Sequence, residues 1–411
     1  MSAKPTTSDT GPLIEFMLQL ARAYLTCGEQ TAEVERILRR IMTARGLRRP
    51  RVLVFPTSIH IAAADSSGEH VSLSEGSPHG ARLDQIAAIY ALGREAQRGG
   101  VPPQEGLKRL DEIARMKPRF GTVGTILGHV VLTVGLATAL MPLPENIAMA
   151  AVLGLLIGIL NAVNGDRPIF SAPLSVVASG VVATVVFLGV RYGLPIDPVY
   201  VLIPPLVTFL PGGMLAFGLV ELTTDDMVSG ASRLLKGLVQ LILLAFGLTS
   251  GALLVGYQPY NLLDGQREVS LPIWTALLGA TLFVVGVYVH YSGPRRSLPW
   301  LLFVVCTAFA IQRLTADFVG APFSGFFGMA GATILGNVVE DWWDGPPSMV
   351  TFLPSFWFLV PGVLGLLGVK RLLTGQATVD CLFTVVFAFT SIALGALVGE
   401  AFYKRLLVKR E

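Results

Sequence analysis

From residue 121 to residue 402 the chain is a series of apolar runs, each about as long as a helix that crosses a bilayer. A crossing helix needs roughly 20 such residues, because each advances about 1.5 Å through hydrocarbon about 30 Å thick. Inside that hydrocarbon each backbone amide must be satisfied within its own segment, so the runs predict helices. Ten are legible, at about 121–141, 145–164, 170–190, 199–219, 233–256, 271–291, 298–316, 320–339, 349–370 and 378–402. Composition points the same way. Hydrophobic residues make up 52% of the 411 and charged residues 14%, too few to cover two or three soluble domains. The net charge of +3 is scattered beside apolar segments and suggests no nucleic-acid partner. Cys27, Cys306 and Cys381 stand far apart, with neither a disulfide framework nor zinc-ligand spacing. The opening MSAKPTTSDTGPLIEF lacks the apolar core of a cleaved secretion signal.

Residues 1–118 read differently, as a small α/β domain. IEFMLQLARAYLTCG and TAEVERILRRIMTARG have helical periodicity and stop at Gly28 and Gly46. RVLVFPTSIHIAAA and EHVSLSEG read as two strands around a DSSG turn, and two helical stretches follow. His60, His70 and His79 lie in or near the strands without metal-ligand spacing, and no nucleophile elbow or phosphate loop is present. No cofactor or metal is implied.

Within the apolar region a pattern repeats at a spacing near 150 residues. Leu127–Gly128 and Val134–Gly135 return as Leu278–Gly279 and Val285–Gly286, and APLS at 172–175 returns as APFS at 321–324. Pro204, Pro211, Gly212 and Gly218 return as Pro354, Pro361, Gly362 and Gly368. In the fifth span GALLVG matches GALVG only after an insertion. Five spans per copy is an odd number, so the second copy enters the membrane from the opposite side. The expected fold is therefore an α-helical polytopic membrane protein of ten helices in two inverted five-helix repeats, residues 119–261 and 262–411, preceded by a cytoplasmic α/β domain. With the amino terminus inside, twelve Lys and Arg residues near span ends face the cytoplasm and five face out, which places both termini inside.

Inverted repeats with Pro- and Gly-interrupted spans are the build of many secondary transporters, whose sites lie where the interruptions of the two halves face each other. Interrupted helices free backbone groups that suit a zwitterion, the helix amino ends a carboxylate and the carboxyl ends an ammonium. The candidate substrate residues are Pro204, Thr208, Pro211, Gly212, Thr351, Pro354, Pro361 and Gly362, with Ser175 and Ser324 beside the Ala-Pro pairs. Taken singly, prolines can merely kink helices, and serines and threonines can bond their own backbone. Proton coupling needs an ionisable group in or at the edge of a span. His129, Asp226 and Asp380 are the candidates.

GEQTAEVERILRRIMTARGLRRPRVLVFPTSIHI and LVTFLPGGMLAFGLVELTTDDMVSGASRLLKG resemble the soluble-domain signature and the Pro-Gly span of the threonine/serine exporter family. The order of parts fits that family over essentially the whole chain. The resemblance implies export of threonine and serine from a bacterial cytoplasm across the inner membrane, energised by the proton-motive force. The expected partners are thus small neutral amino acids, protons and the lipid bilayer, and a homo-oligomer is compatible with the sequence. A channel, another small-metabolite carrier, or a membrane-tethered enzyme with its chemistry in residues 1–118 are the competing readings; no catalytic constellation supports the last.

Overall fold

The computed structural model describes residues 10–47, 50–65, 68–75, 80–165, 171–224, 226–257, 273–359 and 379–408. By its internal contacts the chain divides into two compact units, residues 1–117 with 217–234, and residues 118–216 with 235–411.

The first unit opens with α1 (Thr10–Thr26) and α2 (Thr31–Ala44). Gly28 and Gly46 follow them at φ 86° and 79°, a left-handed conformation that glycine adopts without a Cβ penalty. Three antiparallel strands come next, β1 (Arg51–Val54), β2 (Ser58–Asp65) and β3 (Gly68–Glu75), in that order across the sheet. RVLVFPTSIHIAAA is thus two strands. Phe55 and Ser58 exchange backbone hydrogen bonds around Pro56–Thr57, and the chain reverses there. A proline has no N–H for a ladder, so a strand running through position 56 would lose a bond. Helices α3 (Leu83–Gln97) and α4 (Pro103–Ala114) complete residues 10–117. The core is apolar and aromatic: Phe16, Met17, Leu20 and Tyr24 of α1, Leu38, Ile41 and Met42 of α2, and Ile59 and Ile61 of β2 are fully buried.

The apolar region contributes α5 (Gly121–Leu140), α6 (Pro144–Asn164), α7 (Ser171–Arg191), α8 (Pro198–Leu202), a 3₁₀ turn (Pro204–Phe209), α9 (Gly212–Thr223), α10 (Met227–Leu254), α11 (Ile273–His290), α12 (Leu298–Val319), α13 (Ala321–Trp342), α14 (Ser348–Leu359) and α15 (Val379–Val408). Among the described residues, seven helices are long and apolar enough to cross a membrane, and three more are apolar but shorter, Gly212–Thr223, Trp274–His290 and Ser348–Leu359. The chain is a multi-pass membrane protein. Leu155, Leu238, Ile242, Phe246 and Phe303 are exposed large apolar side chains on these helices, as expected where lipid is the solvent.

Small residues bring the helices together. Helices α5 and α11 run antiparallel at a backbone-to-backbone distance that only glycine permits. A Cβ on Gly128 would collide with the His290 backbone, one on Gly135 with Phe283, one on Gly279 with Ala139, and one on Gly286 with Leu132. Helices α7 and α10 meet the same way, Gly247 against Val176 and Ser179, and Gly251 against Gly180 and Ala183. So do α13 and α15, Gly395 against Phe326, and Gly399 against Ala330 and Thr333. In hydrocarbon, helices associate by close packing and not by exclusion of water, so small residues collect at such contacts.

Candidate functional site

In the fourth apolar run the helix is interrupted for a local reason. Pro204 and Pro205 remove two consecutive donors, so α8 stops and the chain tightens into the 3₁₀ turn. Leu210, which precedes Pro211, is extended at φ −69° and ψ 125°, the conformation a following proline imposes. Helix α9 then restarts at Gly212, with the Leu215 N–H donating to the Pro211 carbonyl at 3.0 Å. The corresponding run behaves otherwise. Helix α14 passes through Pro354 without a break. Pro361 and Gly362 lie outside the described residues.

The 3₁₀ turn faces the α5–α11 pair. His129 of α5 is fully buried, with Nδ1 3.0 Å from the Gly154 carbonyl oxygen and Nε2 3.5 Å from Thr208 Oγ1. A ring nitrogen facing a carbonyl must be the donor, so the neutral imidazole carries its proton on Nδ1 and presents Nε2 as an acceptor to the Thr208 hydroxyl. His290 stacks edge-on against His129 at 5.2 Å between centroids. Its own Nδ1 is 2.8 Å from the Thr125 carbonyl oxygen. The series continues through Tyr291, 4.6 Å from His290, to Trp357 of α14, 4.7 Å from Tyr291. Leu132, Val207, Thr208, Phe283, Val287, Tyr291 and Trp357 line a narrow cavity with room for about one water molecule. It lies where the 3₁₀ turn and α14 meet the glycine-packed pair.

The other candidates divide. Ser175 is buried on α7 and accepts from Gln240 Nε2 at 2.5 Å, while the same amide reaches the Phe209 carbonyl at 3.3 Å. Gln312 reaches the Leu359 carbonyl at 3.5 Å. Each glutamine thus engages the carbonyl two residues before a Pro-Gly pair, Pro211–Gly212 in one half and Pro361–Gly362 in the other. Sequence reasoning missed both; a single glutamine in each of two largely apolar helices was the available signal. Ser324 and Thr351 donate to carbonyls of their own helices, Ala321 at 2.8 Å and Ser348 at 3.0 Å, and do not reach the cavity. Asp226 stands in the short connection from α9 to α10, away from the prolines in sequence, with its N–H bonded to the Glu221 carbonyl. Asp380 opens α15, and its side chain lies outside the described residues.

A second polar cluster was not anticipated, and it belongs to the first unit. Helix α2 begins after Gln30, which makes no side-chain cap. The cap comes from far along the chain, as Glu221 Oε1 accepts the Thr31 N–H at 3.0 Å and the Thr31 hydroxyl at 3.2 Å. A carboxylate suits the positive end of a helix. Arg233 lies 3.1 Å from Glu221 as a buried ion pair, and donates to the Gly28 and Glu29 carbonyls at 3.1 and 2.5 Å, just beyond the end of α1. The α9–α10 turn is closed by small residues, Gly218 packing against Gly230. Nearby, the Tyr90 hydroxyl donates to Glu29, whose carboxyl is pushed above the usual range mainly by burial.

A family model described as "Putative threonine/serine exporter", ThrE, matches residues 15–255. The chain belongs to the ThrE family. Similar curated proteins come from yeasts. An uncharacterized protein of Schizosaccharomyces pombe is 23% identical over 370 residues, covering 85% of this chain and 43% of its own length. The pheromone-regulated membrane protein 10 of Candida glabrata is 22% identical over 382 residues (88% and 46%), and that of Saccharomyces cerevisiae strain YJM789 is 22% identical over 380 (88% and 47%). The chain spans about half the length of these relatives. No solved structure gives a significant match. The ThrE match runs from within α1 to the end of α10, and so includes the 3₁₀ turn, His129, Glu221 and Arg233.

Proposed function

We propose that this ThrE-family protein is a secondary transporter that exports small neutral amino acids, threonine and serine foremost, by proton-coupled alternating access. The observation that carries the reading is the cavity beside His129, where the proline-interrupted segment of the first half and α14 of the second meet the α5–α11 pair. The freed amides at the start of α9 suit the substrate carboxylate, and the carbonyls at the end of the 3₁₀ turn suit its ammonium. Thr208 would bond the substrate hydroxyl or release His129 to do so. A proton on His129 Nε2 turns that nitrogen from acceptor to donor and reverses the sense of its contact with Thr208. A cavity the size of one water is too small for the substrate, which in this reading needs a wider one on each face in turn.

Ten spans in two inverted repeats, residues 119–261 and 262–411, are part of the same proposal. Helix packing supports them. Exchanging the halves carries the Gly128–His290 contact onto Gly279–Ala139, and Gly135–Phe283 onto Gly286–Leu132, the relation expected of a twofold axis across an antiparallel pair. Gly247 and Gly251 correspond in the same way to Gly395 and Gly399, each pair packed on the third helix of its own half. Both glycine pairs share one offset of 148 residues, close to the 150 of the preceding prolines. The bias of basic residues supports cytoplasmic termini. Because the relatives compared are yeast proteins, the bacterial setting is not carried into the proposal.

Residues 1–118 act in this reading as a cytoplasmic gate. Within the first unit, Glu221 caps α2 and pairs with Arg233, which ties residues 217–234 to the amino-terminal helices. The test is labelled threonine and serine uptake into sealed vesicles of purified protein under an imposed pH gradient, with alanine and a small sugar as controls. Gradient-driven, saturable accumulation of threonine or serine is expected, and His129→Gln should uncouple it from the gradient. Movement of the sugar at the same rate, or no movement of any amino acid, would overturn the reading.

A further inference from the structure

We infer that the amide of Gln240 stands in for the substrate's ammonium while the site is empty, and that the substrate takes its place by displacing it. The inference rests on the transport reading above. It names the groups by which that site tells amino acids from their deaminated analogues.

A broken helix leaves carbonyls without donors. In a continuous helix the Phe209 carbonyl would receive the N–H of Gly213, four positions on. Here Leu210 is extended and α9 restarts at Gly212, so that geometry is lost. A carbonyl in a membrane span must then find another donor. Gln240 of α10 supplies it, with Nε2 3.3 Å from the Phe209 oxygen, and the same nitrogen lies 2.5 Å from Ser175 Oγ on α7. One amide nitrogen thus spends both its hydrogens on acceptors from two other segments. Phe209 follows directly on Thr208, which lines the cavity. A primary ammonium would meet the same two acceptors with three N–H groups and a full charge, and charge-assisted bonds are about twice as strong.

The repeat holds a second instance. Pro204 and Pro211 return as Pro354 and Pro361, which sets Leu359 in the place of Phe209. The Leu359 carbonyl is also met by a side-chain amide, Gln312 Nε2 at 3.5 Å. The two glutamines are not counterparts, since they stand about half a repeat apart. What recurs is an amide on the carbonyl ahead of a Pro-Gly pair.

A bland account holds that Gln240 only satisfies the Phe209 carbonyl for stability. On that account, removing the amide weakens the fold and substrate binding together. Displacement gives binding the opposite sign. Without the amide, the ammonium no longer competes with an internal donor, so affinity rises and release slows.

The experiment measures labelled threonine binding to the full chain in nanodiscs and its transport in sealed vesicles. Gln240→Met keeps the length of the side chain without a donor. Gln240→Asn keeps the amide but withdraws it by one methylene, and it replaces the methionine variant if thermal unfolding shows that one to be misfolded. Kd and KM for threonine should both fall about tenfold, with kcat lowered as well. Competition by 3-hydroxybutyrate, which is threonine without its ammonium, should stay as it is in the native protein. Affinity for threonine unchanged or weakened, or an equal shift for both compounds, would overturn the inference and leave the transport reading standing. Threonine bound more tightly by the variant but carried by neither protein would support the inference and overturn the transport reading. A native protein that neither binds nor carries threonine would overturn both.

Discussion

The pentapeptide VTFLP occurs twice, at 207–211 and at 350–354, and folds in two ways. In the first copy it forms the end of a 3₁₀ turn and an extended residue, and Pro211 precedes a new helix. In the second it lies inside α14, with Pro354 in the helix interior. The neighbours decide between these outcomes. Pro204 and Pro205 stand before the first copy and glycines 212 and 213 after it, so no helix can run through, whereas Ser348 and Met349 begin a helix ahead of the second. There, Ser355 donates to the Thr351 carbonyl and Thr351 to Ser348, which ties the first turns together around the missing proline donor. The two threonines consequently do different work. Thr208 is turned toward His129, and Thr351 is spent on its own helix. The same five residues thus close a 3₁₀ turn in one place and lie inside a helix in the other.

The largest effect is expected where the halves are alike. Gly135→Leu and Gly286→Leu both force a side chain into a facing backbone, and each should destabilise the protein by about 3 kcal/mol or more, seen as lost thermal stability in detergent. Equal losses would support equivalent halves; a loss in only one would break that equivalence. Identical substitutions in the pentapeptide come next. Pro354→Ala restores a donor inside α14 and should stabilise the protein by up to about 3 kcal/mol with transport near normal. Pro211→Ala should change stability by less than about 1 kcal/mol, because a helix start needs no donor there, yet it should depress transport. Transport lost in both, or in neither, would mean the contrast between the copies has no functional content.

Smaller still, Thr208→Val should reduce threonine transport about tenfold, from loss of one hydrogen bond to a buried ring, and Thr351→Val should not. Equal effects on rate would sink the assignment of the cavity. The weakest prediction concerns the cluster at the far end of α9. Burial raises the Glu29 carboxyl, so the folded state keeps a proton that the unfolded chain releases. Its contribution is therefore fully present below the ordinary value of about 4.3 and is lost as pH rises through the shifted one. Hydrogen exchange of α2 and α3 in the full chain, corrected for intrinsic rates, should show protection falling over that window. Glu29→Gln should flatten the trend, and an unchanged slope would exclude Glu29 as its source.

Much of this was legible in the chain. Apolar runs of membrane length against so few charges identify a multi-pass membrane protein, because hydrocarbon tolerates little else. Gly28 and Gly46 mark helix ends through a backbone geometry that is local. The paired glycines at 128, 135, 279 and 286 could be read as a repeat, although not as the surfaces that bring α5 and α11 together. What only the tertiary structure decided involves partners distant in sequence. Glu221 caps a helix that starts 190 residues earlier, and no pattern near either residue announces it. Gln240 and Gln312 look like stray amides until the carbonyls they hold are seen. Thr208 and Thr351 share the same immediate neighbours and diverge because the segments around them pack differently. Propensity and periodicity act over a few residues, whereas desolvated polar groups must be satisfied wherever the fold brings a partner, and that choice is made by packing.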